Sequence, residues 1–115
     1  MSAGYQELFL DQGADFATTI TLDDVNGDPY DLTDFSAKSQ MKKSYYSTNS
    51  IAEFNVNIVG LPSDGIISLS LNHAVTANIA PGRYVYDVAM KNNNDNTVTR
   101  VLEGIINVTP MVSKI

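Results

Sequence analysis

Ala80-Pro81-Gly82-Arg83-Tyr84-Val85-Tyr86-Asp87-Val88-Ala89-Met90 is the stretch whose reading decides the fold. Tyr84, Tyr86, Val88 and Met90 alternate with Val85, Asp87 and Ala89, the period-two pattern of a half-buried strand. The polar run 91–97, with Asn92, Asn93, Asn94, Asp95 and Asn96, is an exposed turn. Residues 98–108 are apolar again before Pro110. The three segments together read as a β-hairpin, fed across a turn by the strand Ile66–Leu71 with Ile67, Leu69 and Leu71 inward.

Upstream, the same pattern recurs. Residues 6–10 form a short strand candidate carrying Leu8, Phe9 and Leu10. In residues 16–22, Phe16, Thr18, Ile20 and Leu22 face one way, and Ala17, Thr19 and Thr21 the other. Threonine suits a solvated sheet face, since its branched Cβ fits the pleat and its hydroxyl meets water. Asn26-Gly27 followed by Pro29 is a strong turn signal, because the pair supplies positive φ and the proline stops a central strand. Tyr30, Leu32 and Phe35 anchor a link to a strand at 36–43, with Ala37, Ser39 and Met41 inward. Ala52, Phe54, Val56 and Ile58 form the inward face of a strand that makes a hairpin with Ile66–Leu71. Asn72 can cap a short helical turn over 72–79 that Pro81-Gly82 ends.

About seven short strands spaced by turn signals, with one helical turn, predict an all-β, two-sheet antiparallel sandwich of the immunoglobulin-like kind. A small barrel is the alternative. With 115 residues and no linker, repeat or low-complexity segment, residues 1–115 read as one domain. The small residues 1–4 are expected to be loose. The expected core is Phe16, Ile20, Leu22, Phe54, Val56, Ile67, Leu69, Tyr86, Val88 and Leu102.

Composition narrows the function classes. A net charge of −6 and only 7 scattered Lys and Arg residues disfavour a phosphate-tracking surface, so no nucleic-acid partner is expected. Acidic charge gives no attraction to an anionic membrane, and no apolar run approaches the roughly 20 residues that span a bilayer. The start of the chain has neither a basic stretch nor an apolar core of a signal peptide, so cytoplasmic synthesis is expected. With 0 cysteines, neither a disulfide framework nor a thiolate metal site can form.

Four groups of residues are candidates for chemistry. His73 is the single histidine and lies in no nucleophile motif, so it reads as a solvated surface residue and no catalytic residue is assigned. Asp23, Asp24, Asn26, Asp28 and Asp31 offer the oxygen ligands Ca²⁺ prefers, but their spacing is not that of an EF-hand loop. They read as turn carboxylates, and neither metal nor cofactor is expected. Gly27, Gly65 and Gly82 fall at separate turns and form no phosphate-cradling loop. Tyr45 and Tyr46, just after Lys42 and Lys43, read as interface aromatics, and with Tyr5 and Tyr30 they are also the side chains a glycan would stack on.

Two long runs resemble the immunoglobulin-like modules of tailed-phage virion proteins. The first is Phe16-x-Thr18-Thr19-Ile20-Thr21-Leu22-x-Asp24-x-Asn26-Gly27-Asp28-Pro29-x-Asp31-Leu32-Thr33. The second comprises Asp64-Gly65-Ile66-Ile67-Ser68-Leu69-Ser70-Leu71, then Ala80-Pro81-Gly82-Arg83-Tyr84-Val85-Tyr86-Asp87-Val88, and Arg100-Val101-Leu102-Glu103-Gly104 through Thr109-Pro110-Met111-Val112. The likeness spans residues 9–112 and rests on turn and strand signatures. It implies a non-enzymatic accessory protein of a virion (tail, baseplate or capsid), assembled in the host cytoplasm and docked on other virion proteins or on copies of itself. A carbohydrate-binding module for adhesion is the alternative.

The residues expected at an interface are Leu8, Phe9, Leu10, Tyr45, Tyr46, Met111 and Val112. Three apolar residues in succession at 8–10 put side chains on both faces of a terminal edge strand, and only one face can meet its own core. On this reading, removal of residues 1–10 leaves a folded sandwich that no longer assembles.

Overall fold

The computed structural model describes residues 4–24 and 26–113; of residues 1–4, expected to be loose, 1–3 lie outside the described residues, and Gly4 is instead held in a strand paired with Leu102. The strands are β1 (Gly4–Tyr5), β2 (Leu8–Asp11), β3 (Phe16–Thr21), β4 (Phe35–Lys42), β5 (Ala52–Ile58), β6 (Ile66–Leu71), β7 (Gly82–Asn92) and β8 (Val98–Thr109). A four-residue helical turn, α1 (His73–Thr76), lies between β6 and β7, and a 3₁₀ turn occupies Pro62–Asp64. The Asn72 side chain caps α1 by accepting from the Val75 N–H at 3.0 Å.

The hydrogen-bonded order is β1–β8–β7–β4–β5–β6–β3, with β2 also on β8. This is an all-β immunoglobulin-like sandwich whose two sheets share one strand. Residues 52–54 of β5 pair with β4, and residues 55–58 pair antiparallel with β6, so β5 passes from one sheet into the other. The expected hairpins, β5 with β6 and β7 with β8, both form. The sheet is not wholly antiparallel, however. β1 and β2 run parallel to β8, with Leu8 opposite Ile106 and Leu10 opposite Val108.

The core lies between the sheets. Ile20, Leu22, Phe54, Ile67, Leu69, Tyr86, Val88 and Leu102 are buried as expected, whereas Phe16 and Val56 are only partly covered and pack at its margin. Ile58, expected inward, is exposed at the far end of β5. Phe54 meets Phe16 and Tyr86 at ring separations of 6.0 and 6.2 Å, tilted against the first and edge-on to the second. Val101 and Leu102 are both buried although adjacent. Val88 pairs with Leu102 but Ala89 pairs with Arg100, so Val101 is an extra residue in β8, and this bulge turns both side chains inward.

Gly104 determines how the N-terminal segment seats on β8. A Cβ there would overlap the Gln6 carbonyl and approach the Tyr86 ring to 3.0 Å. Through this gap the Tyr86 hydroxyl donates to the Gln6 carbonyl at 2.7 Å. Burial pushes the Tyr86 hydroxyl pKa upward, with nearby Tyr5 adding to the shift, so it remains a donor throughout the ordinary pH range.

Two outcomes check this packing. Leu69→Ala should destabilise by about 2–5 kcal/mol in urea titration, the range for truncating a buried leucine, and a loss under about 0.5 kcal/mol would contradict the β6 register. Gly104→Ala should release the strand segment 4–11, seen as new fast hydrogen exchange at Leu8 and Leu10 and a lower melting temperature. Unchanged exchange at both would refute the close approach at Gly104.

Candidate functional site

The residues expected at an interface do not form one surface. Leu8 and Leu10 are 4% and 1% exposed, because β2 pairs with β8 of its own chain and points both leucines into the core. They are core residues, a correction to the expected interface role. It follows that removing residues 1–10 would strip two buried leucines and the Gln6 acceptor, so the truncated sandwich should not be expected to fold normally. Phe9, between them, is 68% exposed. Its ladder partner is Asn107, and the same outer face carries half-buried Ile105 and Val85, which oppose each other. Glu7 accepts from the Asn107 side-chain amide at 2.6 Å at the margin of this patch.

At the other end, Met111 is half-buried with its sulfur against Gly13, and Val112 is 99% exposed. Tyr45 and Tyr46 lie in the β4–β5 loop, and Tyr46 is 94% exposed. Lys43 turns away from them. Its ammonium lies 4.7 Å from the centre of the Tyr84 ring and 3.4 Å from the Arg83 carbonyl. Tyr45 borders a shallow depression of about 140 Å³ with Lys42, Gln40 and Val85. The four tyrosines weighed for glycan stacking therefore divide, since Tyr5 and Tyr30 line a different cleft from Tyr45.

That cleft, of about 540 Å³, is the largest described cavity, and sequence reasoning did not find it. It is lined by the buried Ile20, Leu22, Val101 and Leu102 together with Tyr5, Tyr30, Asp23 and Asp24. It sits where the two ends of the strand order, β1 and β3, come near each other without a described ladder between them. The one advance signal was the adjacent pair Val101-Leu102, which breaks the alternation of β8.

The acidic turn is organised by its own backbone. Asp24 Oδ1 accepts from the N–H of Asn26 at 2.8 Å and of Asp28 at 3.1 Å, while Asp31 Oδ1 accepts from the Thr33 N–H and hydroxyl. Those Thr33 bonds hold the Asp31 carboxyl below the usual carboxylate range, and Thr97 does the same for Asp95. No group of three or more potential metal ligands occurs among the described residues.

His73 has a partner that the sequence did not reveal. Asp15 Oδ1 accepts from the His73 backbone N–H at 2.6 Å and lies 2.9 Å from its Nδ1. Both side chains are largely exposed. The Asp15 carboxyl is held below its ordinary value chiefly by the His73 side-chain hydrogen bond and then by the backbone one. No hydroxyl is hydrogen-bonded to the His73 ring among the described contacts, and the pair acts as a tie between α1 and the β2–β3 loop. Thr76, fully buried, completes that tie by donating to the Ala14 carbonyl at 2.8 Å and accepting from the Gly13 N–H at 3.1 Å.

No protein-family model matches the chain. No curated protein matches it either. Among solved structures, it is similar to the filamin domain of Lin-41, at 16% identity and a TM-score of 0.46 over 88% of this chain and 82% of that one. It is also similar to InlP of Listeria monocytogenes, at 13% identity and a TM-score of 0.48 over 93% of this chain. The chain spans 28% of the InlP chain. At such identities these likenesses concern the fold alone.

A depressed carboxyl pKa lends stability above the unfolded value, near 3.9, which is lost as pH falls through the lower folded value. Asp15→Asn should therefore lower the melting temperature slightly at pH 7, with the difference from the parent chain closing below about pH 4. His73→Ala keeps the backbone bond and should change little at pH 7. A larger loss on His73→Ala than on Asp15→Asn, which removes the acceptor of both bonds, or an Asp15→Asn difference that widens in acid, would refute the tie.

Proposed function

We propose that this chain is a non-enzymatic structural module of a tailed-phage virion, which docks on another virion subunit through the outer face of its N-terminal strand. The observation that carries the reading is Phe9. It stands 68% exposed on a strand whose neighbours Leu8 and Leu10 are buried, and it shares its outer face with the half-buried apolar pair Ile105 and Val85. An exposed aromatic beside aliphatic neighbours on a sheet face is the composition of a protein interface centre, where aromatic anchors carry most of the binding energy.

The sequence resemblance to virion modules, over residues 9–112, supplies the setting of a particle assembled in the host cytoplasm. The remaining chemistry supports a structural rather than a catalytic role. His73 serves as a tie between loops, the acidic turn holds its own backbone, and the described buried side-chain polar atoms all have partners. Among the described residues no helix is long and apolar enough to cross a membrane.

Tagged chain produced during infection should co-sediment with purified particles, and Phe9→Ser should lose at least about tenfold in incorporation, an effect expected of an interface anchor. Because Phe9 makes little of the core, its replacement should leave the melting temperature almost unchanged. Absence of the parent chain from particles, or undiminished incorporation of Phe9→Ser, would overturn the reading.

A further inference from the structure

β3 is the last strand in the pairing order, and a cleft lies beside it, away from the Phe9 face. β3 pairs with β6 along one side, and no described strand pairs with the other. The Leu22 N–H donates to the Gly65 carbonyl at 2.7 Å, which fixes the phase of the ladder. By alternation, Phe16, Thr18 and Ile20 direct their backbone groups to β6, and Ala17, Thr19 and Thr21 direct theirs outward. Edge strands of monomeric proteins are usually blunted by lysine, proline, a bulge or short length. The segment Phe16-Ala17-Thr18-Thr19-Ile20-Thr21 has no charge, proline, glycine or bulge, and is six residues long.

We propose that this edge accepts an extended segment of a partner protein as an added strand, and that the segment carries basic residues at its ends. The cleft next to Thr21, lined by Ile20, Leu22, Val101 and Leu102, receives an apolar side chain of the added strand. The charge of the occupant follows from the flanks. Asp15 stands just before β3, Asp23 and Asp24 just after it, and no lysine or arginine lines the cleft. A second copy of this chain fits poorly. Antiparallel pairing centred on Thr19 sets Ala17 opposite Thr21 and brings Asp15 opposite Asp23 at both ends, and like charges directly opposed are destabilising. Both chains would also carry a net charge of −6. A basic-ended strand meets both flanks favourably, and main-chain pairing supplies the affinity as in other strand-addition complexes.

The test uses the full chain and a synthetic peptide of alternating valine and threonine with two lysines at each end, read by residue-resolved hydrogen exchange. The peptide should slow exchange at the amides of Ala17, Thr19 and Thr21 by about tenfold or more, while Thr18 and Ile20, already bonded to β6, stay slow throughout. A glutamate-ended peptide should not protect them. Asp23→Lys should weaken the lysine-ended peptide about fivefold, since Asp23 is exposed and, unlike Asp24, does not hold the turn. Thr19→Pro removes an outward N–H and none to β6, so it should abolish protection in a protein that still melts cooperatively. If Thr19→Pro unfolds, the exchange pattern of the parent chain decides alone. Protection elsewhere, equal protection by the glutamate-ended peptide, no protection at all, or protection of Ala17, Thr19 and Thr21 in the free chain that grows with its concentration would each overturn the proposal. The last outcome would assign the edge to a second copy.

Discussion

One hydrogen bond sets the course of the N-terminal segment, from the Tyr86 hydroxyl to the Gln6 carbonyl. It can form only because Gly104 leaves a gap in β8 for the Gln6 backbone. A buried phenol without a partner would be costly, so the carbonyl is held there firmly. Once Gln6 is seated, the alternation of the following strand has no freedom. Leu8 and Leu10 close the core above Ile106 and Val108, and Phe9 has to face outward. The surface used in the proposed docking is thus a consequence of core packing one residue away on each side.

The second consequence is an unequal closure of the sandwich. On one side β5 crosses between the sheets and stitches them together through its ladders to β4 and β6. On the opposite side nothing described bridges β1 and β3, and the two edges are joined only where the β2–β3 loop connects them. That joined end is secured by α1 and the residues just after it, through Thr76 to Gly13 and Ala14, through the Asp15–His73 contact, and through the Gln12 amide donating to the Ile79 carbonyl at 3.0 Å. The far end stays open as the cleft between Tyr5 and Leu22. Gly65 holds the other margin of that end. Its φ of 70° and the approach of the Leu22 carbonyl and the Tyr30 backbone, inside 3 Å of where a Cβ would sit, exclude any other residue without a shift.

Most of the strands were legible in the sequence because alternation reports burial directly. Tyr84, Tyr86, Val88 and Met90, or Ala37, Ser39 and Met41, could hardly face otherwise. What alternation does not carry is pairing. The parallel seating of β2 on β8 and the passage of β5 between sheets leave the period of two untouched, so neither could be read from it. The Val101 bulge and the mid-strand Gly104 did leave marks, an apolar pair and a glycine inside a strand, which signal extra residues and close backbone approach. Which residue of the N-terminal strand would be exposed was legible in part. Three apolar residues at 8–10 correctly implied one side chain too many for the core, and the structure identifies it as Phe9. The cleft was not legible, since Ile20 and Leu102 meet only through the fold.

The two proposed docking surfaces differ in what they can specify. Burial at Phe9 is apolar and non-directional, so it gives affinity but little control over the angle at which a partner sits. Pairing along β3 fixes direction and register, because each outward N–H and C=O of Ala17, Thr19 and Thr21 must meet its counterpart, and a slip of one residue turns the added strand over. The acidic flanks add a sign to that selection and make it sensitive to salt, whereas the Phe9 face is not. A module held in a particle needs both properties, an anchor and an orientation. On this proposal, their separation onto the outer face of one sheet and the free edge of the other would let a single small domain contact two subunits, or two parts of one, without either contact disturbing the core between them.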